Sequence, residues 1–175
     1  PNVDLVAVVD PHPRRRGNAR RLAGESLRPF SELEALLNFA RHSSSAENEI
    51  DAVLIASPPA FHGQQSVAAL EAGWHVYLEK PMALTVADCD TVLGAALEAE
   101  DRGQVFQIGF QRRYNPRYRA SIDSIRRGDA GTAPFIRAQW HAHGSSSPRK
   151  LWAHDREQSG GALVEQASHQ LVVFN

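Results

Sequence analysis

Glu79-Lys80-Pro81 is the strongest local sign of chemistry in the sequence. It follows directly on a short apolar run at 74–78, so its charges stand at the mouth of a buried strand. Pro81 biases Lys80 toward an extended backbone, which restricts where its side chain can go. An ammonium held there can hydrogen-bond a substrate oxygen and ease its deprotonation. The plainer alternative is a surface ion pair with Glu79, worth little. Glu165 and His169 form the second signal. Four residues apart on a helical run, they share a face. A carboxylate beside an imidazole can relay a proton, because histidine titrates near neutral pH. The pair could also bind a metal, but no third ligand stands at convincing spacing, so the reading is proton transfer without metal. Its bland counterpart is a helix pair facing water.

Other candidates sit where strand-like runs end. Asp10 closes VAVVD at 6–10. An acid there can accept hydrogen bonds from the ribose hydroxyls of a dinucleotide and repel a 2′-phosphate; a solvated turn residue beside Pro11 is the alternative. Arg14, Arg15 and Arg16 could soften that bias, or simply form a wet helix face. Ser57-Pro58-Pro59 makes a rigid exit with no amide donor at either proline, and His62 opens the next helix at the same edge. The segment 107–113 ends a further strand. His141, His143 and His154 make no zinc pattern with cysteine and read as loop residues that line a pocket. Trp140 and Trp152 read as packing residues, with Trp152 also suited to a sugar face. Cys89 has no matched base, which argues against a nucleophile.

The elements that must hold these residues follow a regular rhythm. Apolar strand-like runs at 3–10, 51–56, 74–78 and 104–110 alternate with helical stretches at 14–23, 60–72 and 85–100. The runs are nearly continuous in apolar residues, as in strands buried on both faces. This alternation predicts βαβ units, a parallel sheet and helices on both faces. After Phe110 the rhythm changes. A helix is expected over 114–127 with Pro116 in its first turn, a strand over 135–140, a loop over 145–156 and a helix over 162–174. A domain boundary falls near 111–114.

Composition bounds the class. The chain has 175 residues, 42% hydrophobic and 22% charged, which is globular. It is long enough to bury a core without disulfides. A net charge of -1 argues against an electrostatic nucleic-acid binder. No apolar run approaches a membrane span and no signal peptide opens the chain, so no membrane partner is expected and the cytoplasm is the default setting. The single cysteine fits a reducing compartment. The only methionine is Met82, and both ends lie in apolar runs, which reads as a fragment or a processed product.

Five segments taken together resemble the Gfo/Idh/MocA oxidoreductases: VAVVD at 6–10, DAVLIASPPAFH at 51–62, AGWHVYLEKPMA at 72–83, IGFQRRYNP at 108–116 and SGGALVEQASH at 159–169. Their order and spacing make the resemblance specific over nearly the whole chain. It implies a Rossmann-like doubly wound α/β domain over 1–112, then the beginning of an α/β domain with a mainly antiparallel sheet over 113–175. It implies hydride transfer between NAD, or NADP, and a hydroxyl carbon of a sugar, inositol or related polyol. By resemblance, Asp10 holds the adenosine ribose, and Ser57, Pro58 and His62 line the cofactor's path. Glu79 contacts the nicotinamide ribose and Lys80 reaches both cofactor and substrate. His169 is the acid/base, Glu165 assists it, Arg112 reaches the cofactor, and Arg113 and Trp152 reach the substrate. The complete protein is expected to be a homo-oligomer.

The sequence departs from the family pattern in three ways. No glycine-rich phosphate loop lies within the 175 residues; it is expected upstream of Pro1. Many members carry Asp where Glu165 stands, though some are similar with Glu-Gln. The rest of the C-terminal sheet, with much of the substrate wall and the usual oligomer interface, is expected outside the chain. Two other readings remain open: a catalytically silent cofactor- or sugar-binding relative, and a truncated interaction module.

Overall fold

The computed structural model describes residues 3–42, 50–132, 135–139 and 152–174. Five strands alternate with helices in the order β1 (Ala7–Val9), α1 (Pro13–Ala23), β2 (Arg28–Phe30), α2 (Leu33–His42), β3 (Ala52–Ile55), α3 (His62–Glu71), β4 (His75–Leu78), α4 (Val86–Asp101) and β5 (Phe106–Ile108). All pairings are parallel. Among the described residues the ladder is in two parts, β1-β2 and β3-β4-β5, where sequence periodicity predicts one sheet. The two parts share one core. Ala7, Val9 and Phe30 pack against a cluster that includes Leu36, Leu37, Ile55, Leu70, Trp74, Val76 and Leu78. Leu70 and Leu78 are fully buried, each contributing about 1.5–3 kcal/mol.

Local chemistry accounts for the element ends. Pro13 opens α1, with the His12 ring accepting from the Arg14 amide, and Gly24 closes it at φ 109°. Thr85 caps α4 by accepting from the Asp88 amide (3.1 Å) and donating to Asp88 Oδ2 (2.6 Å). Gln104 Nε2 donates to the carbonyls of Leu70 (3.0 Å) and Trp74 (2.9 Å), satisfying buried acceptors at and beyond the end of α3.

Several expectations are corrected. β2 is a strand that periodicity does not reveal, because it has three residues with Pro29 in the middle. Among the described residues β3 is covered on one face only: Leu54 is 70% exposed while Ile55 is buried, so inward and outward positions alternate. Residues 135–139 form no strand, and Phe135 and Ile136 are exposed; no partner strand pairs with them among the described residues. Trp140, His141 and His143 lie outside the described residues.

After β5 the chain makes a 3-10 turn (Gln111–Tyr114) and α5 (Pro116–Arg126), capped by Asn115. A short α6 (Arg156–Ser159) follows Asp155, and then the expected long helix divides. Residues Leu163–Ala167 form a π-helical turn that runs into α7 (Ser168–Phe174). This final run closes over the strand exits: α6 packs on the 3-10 turn Pro59–Phe61 that precedes α3, and α7 packs on Gln111–Tyr114.

Candidate active site

The exits of β3 and β4 and the last helical run meet at Lys80. Its Nζ donates to Glu165 Oε1 and to the Glu165 main-chain carbonyl, both at 2.7 Å. Lys80 and Glu165 are 12% and 15% exposed, so this is a part-buried pair that water screens poorly. Sequence spacing gives Lys80 only Glu79 as a partner. The structure instead turns the Glu79 carboxylate back on the Lys80 amide (3.3 Å) and gives the ammonium to Glu165, 85 residues away. The π turn places the Glu165 carbonyl within reach of Nζ; such turns recur at functional sites.

His169 lies one helical turn beyond Glu165 and is 8% exposed. Its Nδ1 is buried and has no hydrogen-bond partner among the described residues. Burial pushes its pKa below the ordinary histidine value. The Lys80 and Arg112 charges push the same way, and Glu165 and Glu79 oppose them. An imidazole kept neutral in the field of an ammonium can take a proton at the nitrogen other than the enclosed Nδ1, while the ammonium steadies the oxygen left behind.

The turn before Glu165 is tightly built. Gly160 ends α6 at φ 74°, and a Cβ there would lie 2.9 Å from Val164 Cβ and 3.0 Å from Leu84 Cδ2. Gly160→Ala is therefore expected to destabilise the chain by about 2–3 kcal/mol, through backbone strain and overpacking together. A thermal melt measures it, and an unchanged midpoint would show that the turn relaxes freely.

The remaining candidates distribute as follows. Asp10 follows β1 directly; its Oδ1 accepts from the His12 amide (2.7 Å), and Arg15 Nη1 stands 3.5 Å from Oδ2. Ser57 Oγ donates to Gln65 Oε1 (2.6 Å) beyond β3, with Pro58 next to it. His62 departs from expectation. Its ring is 1% exposed, with Nδ1 2.7 Å from the Pro81 carbonyl oxygen and Nε2 2.8 Å from that of Ser57. A ring shut off from solvent and set between two carbonyl oxygens, with an N–H for at least one of them, sits between the two loops rather than facing a ligand. Arg112 is half-buried, 5.9 Å from the Tyr118 ring centroid, and in the satisfied amide orientation Gln170 Oε1 accepts from its Nη1 (3.2 Å). Arg113 is exposed, and its side chain makes no hydrogen bond or ion pair among the described residues. Trp152 is half-buried in the turn at 152–154. Cys89 is pushed up in pKa, chiefly by burial, which opposes nucleophilic use. No group of three or more metal-ligating side chains, and no helix long and apolar enough to cross a membrane, occurs among the described residues.

Residues 1–110 match the sequence profile of the Gfo/Idh/MocA oxidoreductases, described as an oxidoreductase family with an NAD-binding Rossmann fold. The chain belongs to this family. The inositol 2-dehydrogenase of Salmonella typhimurium is 30% identical over 173 residues, covering 99% of this chain and 46% of that protein. Among solved structures, scyllo-inositol dehydrogenase from Lactobacillus casei, with bound NAD(H) and scyllo-inositol, superposes with a TM-score of 0.75. It is 28% identical, over 97% of this chain and 47% of that one. The WlbA dehydrogenase of Bordetella pertussis, in complex with NADH and UDP-GlcNAcA, gives a TM-score of 0.74 at 28% identity, over 96% of this chain and 45% of that one. The chain thus spans less than half the length of these Gfo/Idh/MocA relatives.

Proposed function

We propose that this chain is the catalytic portion of an NAD-dependent dehydrogenase acting on a hydroxyl carbon of a sugar, inositol or related polyol. One observation carries the reading: the Lys80 ammonium paired with the Glu165 carboxylate, and His169 within the field of both, gather beyond the strand exits. The inositol-binding relative supports a polyol, while WlbA with its nucleotide sugar widens the class.

The residues present suit NAD. Asp10 and Glu79 each follow a parallel strand with a carboxylate able to accept from ribose hydroxyls. Asp10 favours NAD over NADP through its charge, although Arg15 beside it offsets part of that charge. Ser57 and Pro58 would border the path between the two riboses, and Arg112 would add a cation at its far end. The domain division follows the same reading: 1–112 for the dinucleotide, consistent with a family match that ends at 110, and 113–175 for the substrate side. A homo-oligomer is the expected form of the complete gene product, by family resemblance.

In the forward direction the substrate O–H breaks and its proton passes to the His169 imidazole, which burial keeps neutral. Lys80 stabilises the alkoxide oxygen as the C–O bond gains double-bond character. Glu165 holds Lys80 by two hydrogen bonds, leaving one ammonium proton for the substrate. NAD, when bound, supplies the acceptor for the hydride leaving the same carbon. Arg113 and Trp152 flank the substrate side in this reading.

The test is a fluorescence titration of NADH against the complete gene product, followed by turnover assays with NAD and a panel of inositols and sugars. Micromolar NADH binding and reduction of NAD by at least one polyol are expected. A gene product that binds no dinucleotide would overturn the proposal, and one that binds NADH but turns over no polyol would leave the silent relative as the correct reading.

A further inference from the structure

His62 opens α3, yet its ring serves neither the helix cap nor the solvent. Both nitrogens face main-chain oxygens, and the two oxygens belong to different loops: Ser57 leads out of β3, and Pro81 leads out of β4 immediately after Lys80. A buried imidazole so placed is a brace: a neutral ring, with one N–H, donates to one of these oxygens, and only a doubly protonated ring donates to both. The Pro81 carbonyl is one residue from Lys80, whose Nζ must stay 2.7 Å from two Glu165 oxygens. A small swing of that carbonyl is magnified along the lysine side chain, and misplacement by about 1 Å can cost roughly 100-fold in rate.

We propose that His62 is a positioning residue for Lys80, acting through the Pro81 carbonyl. The inference rests on the reading of Lys80 given above. It differs from a core-filling role in one respect: the bond to Pro81 matters more to turnover than the bond to Ser57.

Two amide side chains separate these bonds. In His62→Asn the amide nitrogen takes the place of Nδ1 and can still donate to Pro81. In His62→Gln it takes the place of Nε2 and can still donate to Ser57. In the complete gene product, kcat for His62→Asn is expected within about fivefold of wild type. His62→Gln is expected to lose about 30- to 100-fold, with NADH affinity and melting temperature similar in the two. Equal losses, or a better Gln variant, would overturn the proposal. Nitrogen NMR of the imidazoles in the wild-type protein gives a readout that needs no variant to fold. Nδ1 of His62 must carry a proton to reach Pro81, and an unprotonated Nδ1 would rule the brace out. Lys80→Met serves as the control: turnover retained there removes the functional reading itself, whereas turnover lost there with equal Asn and Gln variants removes only the role of His62.

Discussion

Lys80→Met is expected to lower kcat about 1000-fold while leaving the NADH dissociation constant within about threefold of wild type. Methionine keeps an apolar stem one atom shorter and removes the charge that would meet the substrate oxygen. Removing one donor to a developing oxyanion costs about 100- to 1000-fold, and the loss of a full charge belongs at the upper end. The substitution also strands the Glu165 carboxylate, 15% exposed, without its cation. Breaking a buried pair on one side destabilises by about 3–5 kcal/mol, and this partly exposed pair should cost less. The double variant Lys80→Met, Glu165→Gln separates the two effects: it should recover the melting temperature and remain inactive. Steady-state kinetics and a melt of both variants decide the matter, and near-wild-type turnover in either would take Lys80 out of the reaction.

His169→Gln is expected to lower kcat/KM by about 100- to 10,000-fold, the range over which a positioned acid/base acts. The wild-type pH profile should carry its signature. Burial, with help from Lys80 and Arg112, lowers the pKa of His169 against the opposing pull of Glu165 and Glu79. Oxidation needs the neutral ring, so kcat/KM should hold as pH falls through about 6.5, the ordinary histidine value, and decline only below it. The glutamine variant should lack that limb. The sign for stability is the same. A histidine whose folded pKa is depressed binds fewer protons folded than unfolded, so its contribution is complete above about pH 6.5 and is lost as pH falls through the folded pKa. An acid limb that persists unchanged in His169→Gln would assign it to another group.

How much of this was legible in the sequence varies residue by residue. The placement of Glu79-Lys80-Pro81 was, because a charged pair after an apolar run leaves few positions for its backbone. The βαβ rhythm was also readable, since strand and helix periods differ so widely. β2 was hidden by brevity and by Pro29, which argues against a strand unless tertiary pairing overrides it. The Lys80–Glu165 contact was hidden for another reason: spacing rules reach four residues along a helix, not 85 across a fold. The same limit concealed the partners of His62, since nothing local distinguishes a helix-opening histidine in solvent from one clasped between two carbonyls. The π turn at Leu163–Ala167 left no trace in the apolar pattern, and a single periodic run was the natural expectation.

The span between Lys80 and Glu165 also bears on the order expected in folding. Sheet pairing joins segments separated by one crossover helix, whereas this clasp closes a much larger ring of chain, with an entropic penalty that grows with ring size. The Lys80–Glu165 clasp is therefore expected to close after the parallel strands have paired. It is also the first to go when the final turns fray, since the parallel strands can persist intact around a lysine that has nothing left to grip.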